Sequence, residues 1–275
     1  MNKKRVNLPI MFILVIIIIG LYIFPYMYLF FTAFKPTTFV LTIPPTFFPQ
    51  KFSLQNFLYV FGYENILKVF ANSMIIAIIS TFLTLLISIP AAYAVSRYKI
   101  KFVVFFMVMI LAARMIPYIS IVIPLSFLIR TLKLFDTHLG VALGHMTVSL
   151  PLAIWLLASY FEDFPFELEE AARVDGCTRF GAILRVIIPI SLGGIGVTSI
   201  FVFLASWNDF IYSLMLTNIN AKTVTVAIAQ FQTQYGTSWG AMSALSILFS
   251  LPIIIISFFF QQRLVSGLTM GALKG

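Results

Sequence analysis

Long apolar stretches separated by short polar segments dominate the chain. Six of them cover roughly residues 9–34, 70–95, 102–130, 139–161, 188–216 and 241–261. A helix of about 20 mostly apolar residues is long enough to cross the hydrocarbon core of a bilayer. Because lipid offers no hydrogen-bond partners, a spanning segment must satisfy its backbone internally, as a helix does. The pattern therefore predicts an all-α integral membrane protein with six transmembrane helices, continuous through their internal prolines.

The composition excludes a water-soluble domain. Hydrophobic residues make up 61% of the 275 positions and charged residues only 10%, with a mean hydropathy of +1.03. Soluble domains carry about 25% charged residues, so this chain lacks the polar surface that would cover a soluble globule. The same numbers exclude a disordered chain, a collagen and a coiled coil.

The distribution of lysine and arginine predicts the orientation of the spans. With the amino terminus inside, the inner segments hold 11 basic residues: Lys3, Lys4, Arg5, Arg97, Lys99, Lys101, Arg173, Arg179, Arg185, Arg263 and Lys274. The outer segments hold 6: Lys35, Lys51, Lys68, Arg130, Lys133 and Lys222. Since basic residues concentrate in cytoplasmic loops, both termini are predicted to be cytoplasmic.

Several kinds of site and partner are excluded by small counts. The net charge of +9 reflects these boundary cations, so no nucleic-acid partner is expected. The single Cys177 excludes a disulfide framework, and His138 and His145 are too few for a histidine metal cluster. No metal site is predicted. The first apolar run is too long for a signal peptide and has no cleavage site, so it is expected to remain as a span.

The inner segment 162–187 stands apart in its charge. It holds six of the nine acids, Glu162, Asp163, Glu167, Glu169, Glu170 and Asp175, together with three arginines. Pro165 and the acids predict the start of a short helix, supported by an i,i+4 pair of Glu169 and Arg173. Asp175-Gly176 predicts a turn, after which Thr178 is expected to cap a second helix.

This loop is predicted to contact a protein partner. A helix resting on lipid headgroups is the alternative, but the excess of acids has the wrong sign for an anionic inner leaflet. Ala171 and Ala172 give a small-side-chain patch beside Glu170, and Gly176 leaves the turn open to close approach.

The spacing of these residues resembles a known motif. Glu170-Ala171-Ala172, three residues, Gly176, nine residues and then Val186-Ile187-Ile188-Pro189 resemble the EAA loop of ABC importer permeases. The family pattern ends in I-x-L-P, so Val186 and Ile188 are conservative departures. The spacing is kept in full.

Further matches resemble the carbohydrate branch of that family, the MalG-like permeases of maltose-type importers. They are Arg114-Met115-Ile116-Pro117 with Ile123-Pro124-Leu125, Ser206-Trp207-Asn208-Asp209-Phe210, and the ending Gly271-Ala272-Leu273-Lys274-Gly275. Together with the EAA loop they cover roughly residues 70–275, whereas the first part of the chain matches only in layout.

The resemblance implies a type I ABC importer permease fold with both termini cytoplasmic. Residues 1–69 would form the first span and an outer loop, and 70–275 the permease core with a coupling loop at 162–189 and a tail at 262–275. The ATPase-coupling residues would be Glu170, Ala171, Ala172, Gly176 and Pro189. The tail would contact the ATPase through Gly267, Gly271, Lys274 and Gly275, and its segment 266–275 is too glycine-rich to form a stable helix by itself.

The partners implied are a second related permease, a pair of ATPase subunits, an extracytoplasmic sugar-binding protein and the lipid of a bacterial cell membrane. ATP and Mg²⁺ would bind to the ATPase, because this chain has no Walker-type glycine loop. No cofactor is expected on the chain itself, and no catalytic arrangement indicates an enzyme. The outer loop 217–240 is predicted to contact the binding protein through Gln230, Gln232, Gln234, Tyr235 and Trp239.

Five residues are candidates for the translocation path: Arg114, Tyr118, Trp207, Asn208 and Asp209. Arg114 lies near the bilayer centre, where a charge indicates function by default. A structural pairing is nevertheless favoured over sugar contact for Arg114, and helix packing for Tyr118. For the other three, an interfacial position and a path-lining role are evenly matched. His145 is expected to be a packed polar residue rather than a proton relay.

Two alternative functions stay open. An ABC permease for a non-sugar solute would share the EAA loop but not the carbohydrate-branch ending. An ion-coupled secondary transporter or a membrane-embedded enzyme would work without an ATPase, would leave the loop unexplained, and finds no support in an internal repeat. The sugar, and whether this chain contacts it, also stay open.

Overall fold

Helices account for most of the chain. The computed structural model describes residues 8–63, 65–98, 102–234 and 236–270, without side-chain positions for 8–10, 63, 179 and 262–270. The helices are α1 (Leu8–Ala33), α2 (Gln55–Tyr63), α3 (Ile66–Arg97), α4 (Val103–Ala112), α5 (Tyr118–Thr131), α6 (His138–Glu162), α7 (Glu167–Val174), α8 (Arg179–Ala182), α9 (Ile188–Ile190), α10 (Leu192–Trp207), α11 (Ile211–Leu216), α12 (Val224–Gln230) and α13 (Trp239–Met270). A π-helical turn, Ile183–Ile187, joins α8 to α9, and strands β1 (Gln232–Thr233) and β2 (Gly236–Thr237) form a small antiparallel hairpin.

Four helices are long and apolar enough to cross a membrane by themselves. Their spanning parts are Met11–Ala33, Ile66–Arg97, His138–Glu162 and Trp239–Gln261. Two bent pairs qualify only if each counts as one span, Val103–Met115 with Tyr118–Thr131 and Phe180–Ile190 with Leu192–Trp207. The described residues therefore supply four to six spans. The expectation of continuous helices over 102–130 and 188–216 is corrected, because both stretches are bent.

The bends have local causes. After a 3-10 turn at Ala113–Met115, the chain turns by 93° into α5. Ile116 is extended, with ψ of 130°, because a residue before proline avoids the helical region. The second bend, 79°, falls at Ser191 between α9 and α10. Residues 208–210 then separate α10 from α11.

One compact unit comprises the described residues of Met1–Ile66 and Ile228–Pro252. In this unit α2 is fastened to the end of α1 by one side chain. Asn56 Nδ2 donates hydrogen bonds to the carbonyl oxygens of Ala33 at 2.9 Å and Lys35 at 2.7 Å. Ala33 is the last residue of α1, so its carbonyl oxygen is an acceptor that the helix leaves without an intrahelical partner.

The second unit comprises the described residues of Leu67–Ala227 and Ile253–Gly275. Its buried core includes a cluster around Tyr212 and another around Phe161. Close approach of α6 and α10 depends on Gly194, where an added Cβ would lie 2.4 Å from the ring of Tyr160. Small residues permit such close approach between membrane helices. The predicted division of the chain after residue 69 stays a prediction.

Asp136, in the turn between α5 and α6, holds the segment that follows α11. Its carboxylate accepts hydrogen bonds from the backbone N–H groups of Asn218, Ile219, Asn220 and Ala221, at 2.8–3.2 Å. Burial raises the pKa of Asp136, but the N–H donors outweigh it, and the pKa lies below its ordinary value. The turn is therefore built to hold the ionised carboxylate.

Replacing Asp136 with Asn is expected to loosen this segment, because the charge-assisted hydrogen bonds of the carboxylate are lost. A loss of about 1 kcal/mol would lower the midpoint of thermal unfolding by about 2–4 °C. A carboxyl whose pKa is lowered on folding stabilises the fold above its unfolded pKa of about 3.9, and this contribution is lost as pH falls through the folded pKa. Thermal unfolding of the detergent-solubilised chain between pH 7 and pH 3 measures both effects.

Glu167→Gln provides the control, since Glu167 is an exposed acid in α7. Wild type should lose more stability between pH 7 and pH 3 than Asp136→Asn. Identical unfolding midpoints and pH profiles for Asp136→Asn and wild type would contradict the holding role of this carboxylate.

Candidate functional site

The 162–189 loop folds as the helix–turn–helix that its sequence predicts. Acids fill the first turn of α7, where the positive end of the helix favours them. The helix ends at Val174, and the turn after it contains Gly176, whose φ of +88° lies in the left-handed region that glycine adopts without strain. Thr178 Oγ1 then accepts a hydrogen bond from Gly181 N at 3.1 Å, which confirms Thr178 as the cap of the second helix.

The outward face of α7 carries the EAA residues that are free to meet a partner. Glu170, Ala171 and Gly176 are exposed, and Val174 is 88% exposed. Phe180, in α8, is 69% exposed. An acid beside small and apolar side chains that lie open to solvent is typical of a protein contact surface.

The inward face of the same helix separates the two alanines. Ala172 is only 7% exposed, and Glu169, three residues before it, is 4% exposed. Residues three apart share one face of a helix, so Glu169 and Ala172 pack against the chain while Glu170 and Ala171 lie outside. The predicted small-residue patch therefore consists of Ala171 and Gly176, without Ala172.

Glu169 is anchored to the end of α3. The Tyr93 hydroxyl donates a hydrogen bond to Glu169 Oε1, and Arg97 Nε lies 3.9 Å from Oε2. Arg97 Nη1 also donates to the carbonyl oxygen of Phe164 at 3.0 Å, and its guanidinium lies 5.9 Å from the ring centroid of Phe166. One arginine thus holds both the loop before α7 and an acid within it.

This anchor corrects the predicted pairing of Glu169 with Arg173, because the ion pair that the structure gives Glu169 is with Arg97. Sequence analysis used Arg97 only to orient the spans and did not single out Tyr93. A signal was nevertheless present. Glu169 and Glu170 are adjacent on a helix, so they point about 100° apart, and only one of them can belong to an outward motif.

The end of the EAA pattern lies just before a bend. Pro189 is exposed within α9, and the chain turns by 79° at Ser191 into α10. The π-helical turn at Ile183–Ile187 precedes it. Such turns are rare and frequently occur at functional sites. The loop is therefore joined to α10 through two irregular elements.

Two of the five path candidates share a cavity. Arg114 and Tyr118 flank the 93° bend and, with Thr147 and Tyr212, line a cavity of about 70 Å³. The rings of Tyr118 and Tyr212 lie 6.3 Å apart. Tyr212 belongs to α11, which follows the break that carries the other three candidates.

Trp207, Asn208 and Asp209 occupy the break between α10 and α11 but differ in exposure. Trp207 is 2% exposed and stacks on Phe203, with ring centroids 5.9 Å apart. Asn208 is exposed, whereas Asp209 is partly buried. Asp209 Oδ1 accepts a hydrogen bond from Ser213 N at 3.0 Å, which caps the start of α11.

His145 in α6 is a packed polar residue, as expected. It is 2% exposed, with Nδ1 2.7 Å from Ser206 Oγ and Nε2 3.2 Å from Ser213 Oγ. Asp209 Oδ1 lies 3.1 Å from Nε2. The histidine thus ties α6 to both sides of the break, a contact that sequence analysis missed. Within the described residues, no group of three His, Cys, Asp or Glu side chains could hold a metal ion.

Most of the tail candidates lie outside the residues that the structure describes. Gly267 is part of α13, which continues to Met270. Residues 266–270 are therefore helical as the end of a long helix, and the expectation that the tail forms no stable helix by itself stays a prediction. Gly271, Lys274 and Gly275 lie outside the described residues.

The hairpin in the 217–240 segment stands on a packed base. Phe231 is 5% exposed, its ring centroid lies 6.3 Å from that of Tyr59 in α2, and its carbonyl oxygen accepts from Ser238 N at 3.0 Å. Gln232 and Gln234 are exposed on the hairpin, and Trp239 is 49% exposed. Tyr235 lies outside the described residues. The polar candidates thus project from a supported turn.

Comparison with known proteins places this geometry in a family. A family model described as "Binding-protein-dependent transport system inner membrane component" matches residues 84–270. This range contains the whole 162–189 loop, both bent helix pairs and the break at 208–210.

Two curated relatives are similar over most or all of their length. The chain is 34% identical over 268 residues to the sulfoquinovosyl glycerol transport system permease protein SmoH of Agrobacterium fabrum, covering 97% of this chain and 94% of the relative. It is 39% identical over 206 residues to the trehalose/maltose transport system permease protein MalG of Thermococcus litoralis, covering 74% of each.

A solved structure shares the fold. A chain from the crystal structure of a bacterial ABC transporter involved in the import of the acidic polysaccharide alginate matches with a TM-score of 0.76. The identity is 19%, over 95% of this chain and 98% of that chain. The likeness confirms the helical fold of an ABC importer permease.

Proposed function

Because the chain belongs to the family of binding-protein-dependent transport system inner membrane components, we propose that it carries a small glycoside or oligosaccharide across the membrane. It is a transport component and not an enzyme, and it works with an ATPase and a substrate-binding protein. The observation that carries the proposal is that two relatives of at least 34% identity are named for carbohydrate solutes.

The finer architecture belongs to the same proposal. Each bent helix pair counts as one span, which gives six spans with both termini in the cytoplasm. The concentration of basic residues in the inner segments supports this orientation. A second, related permease completes the path, and ATP and Mg²⁺ bind on the ATPase pair rather than on this chain.

The 162–189 loop is the ATPase-coupling site in this proposal. The contact is formed by Glu170, Ala171 and Gly176. Ala172 packs α7 against the rest of the chain, and Pro189 lies just before the bend into α10. The exposed acid beside small residues supports it, because a carboxylate can enter a partner groove where no larger side chain hinders approach. The tail residues Gly267, Gly271, Lys274 and Gly275 are proposed as a second ATPase contact.

The translocation path forms part of the proposal as well. Arg114, Tyr118 and Asn208 are proposed to face the solute, because the first two line a cavity and the third is exposed. Trp207 and Asp209 are proposed to fix the break that presents them. Arg114→Gln should then raise the solute concentration needed for half-maximal uptake.

The test is ATP hydrolysis by the reconstituted assembly in liposomes, with its binding protein loaded from a panel of solutes. Disaccharides, oligosaccharides and glycosides should stimulate hydrolysis, whereas amino acids should not. Stimulation by a non-carbohydrate solute alone would favour the alternative permease function. Solute uptake without any associated ATPase would favour a secondary transporter.

Glu170→Lys is expected to abolish ATPase docking. A charge pair desolvated at an interface loses roughly 2–5 kcal/mol when one partner is truncated, which is about 30-fold or more in affinity. Lysine adds repulsion, so Glu170→Lys should cost more than Glu170→Ala. Gly176→Leu should also weaken docking, because its φ of +88° strains any other side chain. Co-purification of the ATPase and solute uptake measure the losses.

Glu162→Lys is the matched control, an equal charge change at an exposed acid where α6 ends. It should leave co-purification within about twofold of wild type, a change of about 0.4 kcal/mol. If Glu170→Lys docks and transports like wild type, the coupling role of the loop is wrong. Truncation after Arg263 in the same assay tests the tail contact. If the truncated chain co-purifies the ATPase as well as wild type does, the proposed tail contact is wrong.

Deleting residues 230–238 is expected to abolish stimulation by the loaded binding protein while leaving basal hydrolysis intact. The hairpin presents glutamine amides and stands near Trp239, a stacking face suited to a sugar-cleft lip. Replacing the deleted residues with a glycine-serine linker of equal length controls for loss of the connection. Unchanged stimulation by either variant would refute this contact.

A further inference from the structure

The helix α7 is joined to the rest of the second unit by two separate routes. Along the chain, it connects through α8, the π-helical turn and α9 to the 79° bend before α10. Across space, Glu169 connects it to Tyr93 and Arg97 in α3. Tyr93 and Arg97 are spaced i,i+4, so they lie on one face of α3.

The second route consists of buried polar groups. Side-chain exposure is 7% for Arg97 and 6% for Glu169. Tyr93 is 4% exposed. Replacing a buried ion pair with well-packed apolar side chains is often neutral or stabilising, so stability alone is a weak reason for this arrangement. The hydrogen bond to the Glu169 carboxylate instead fixes the position of α7 relative to α3, because a hydrogen bond is restricted in length and direction.

The link leaves room for adjustment. Glu169 Oε2 and Arg97 Nε are 3.9 Å apart, beyond hydrogen-bond distance, and within the described residues neither atom has a hydrogen-bond partner. The hydrogen bonds from Tyr93 to Glu169 and from Arg97 to Phe164 hold α7 and the loop before it against α3. A small shift of α7 towards α3 would bring the charged groups into direct contact.

We propose that Tyr93 and Arg97 are positioning residues that clamp α7 through Glu169, so that the end of α3 moves with α7 when the ATPase subunits close. The proposal rests on the function proposed above and adds a second path for the motion, beside the covalent path into α10. The clamp is on the inward face of α7, and Glu170 is on the outward face. Docking and transmission are therefore separable by mutation.

Three conservative variants break the clamp in different ways. Tyr93→Phe removes one oxygen and keeps the ring that packs near Tyr98. Glu169→Gln keeps the shape and an acceptor for Tyr93 but removes the charge. Arg97→Lys keeps the charge but loses the guanidinium fork that spans Glu169 and Phe164. Glu167→Gln makes the same acid-to-amide change on the same helix at an exposed position and serves as control.

The measurement is solute transported per ATP hydrolysed by the reconstituted full assembly. Each clamp variant should reach wild-type abundance and co-purify the ATPase within about twofold, a change of about 0.4 kcal/mol. Solute per ATP should fall by about 2- to 30-fold, the range for residues along a coupling network. Glu167→Gln should match wild type in all readouts.

A distance measurement isolates motion from any structural effect. Cys177 is the single cysteine, so Cys177→Ser allows spin labels at the exposed Leu168→Cys in α7 and at Ser96→Cys in α3. The distance between the labels should stay constant through the ATP cycle with the clamp intact, and should change with Tyr93→Phe. The distance between the labels is measured under conditions in which nucleotide binding closes the ATPase, so that a constant distance reports joint movement of α7 and α3.

The outcomes separate the two proposals. If all three variants retain wild-type solute per ATP, or the label distance changes equally with and without the clamp, the clamp is overturned. If the variants lose ATPase co-purification to the same extent as Glu170→Lys, the clamp is a docking element and the proposal is likewise wrong. A wild-type chain that never binds an ATPase refutes the proposed function itself, whatever the clamp variants do.

Discussion

A peptide group in hydrocarbon has no water to bond with, and this requirement explains how the chain tolerates its irregular segments. At the break between α10 and α11, Asn208 Nδ2 donates to the carbonyl oxygen of Leu204 at 2.8 Å, and Asp209 Oδ1 accepts from Ser213 N. Thr225 Oγ1 donates to the carbonyl oxygen of Asp209 at 2.7 Å. The side chains of Asp209 and Thr225 thus replace the helical bond that Ser213 N and the Asp209 carbonyl oxygen would have made. Asn208 Nδ2 adds a second hydrogen bond to the Leu204 carbonyl oxygen, which already accepts one from Asn208 N.

Burial and hydrogen bonding sort the acids by role. Glu169 and Asp209 are held by side chains and backbone groups of the described chain, and Asp136 by four backbone N–H groups. A buried charge without such partners is costly. Glu170 is exposed instead, so its desolvation on docking must be compensated by the partner.

Hydropathy predicted the long apolar helices, of which four are long enough to span a membrane by themselves, and local spacing predicted the helix, turn and cap of the 162–189 loop. The bends were not predictable in this way, because proline alone does not decide the outcome. Pro90 and Pro151 lie inside the long helices α3 and α6, whereas Pro117 stands at a 93° turn. A proline is tolerated in a membrane helix where other groups re-satisfy the freed backbone, and the local sequence does not give those groups. The partner of Glu169 was missed for the same reason, since it lies on α3.

The bend at Ser191 has a mechanical consequence. The helix beyond it, α10, has 16 residues and is therefore about 24 Å long at about 1.5 Å per residue. By lever geometry, a change of about 10° in the bend would displace the far end of α10 by about 4 Å, close to one helical turn of about 5.4 Å. That far end carries Trp207, which is 2% exposed and whose ring centroid lies 6.5 Å from that of Phe70 in α3, so the displacement would be delivered to a packed element. A rotation of about 10° at the foot of the helix is thus amplified into a movement of about 4 Å at its head.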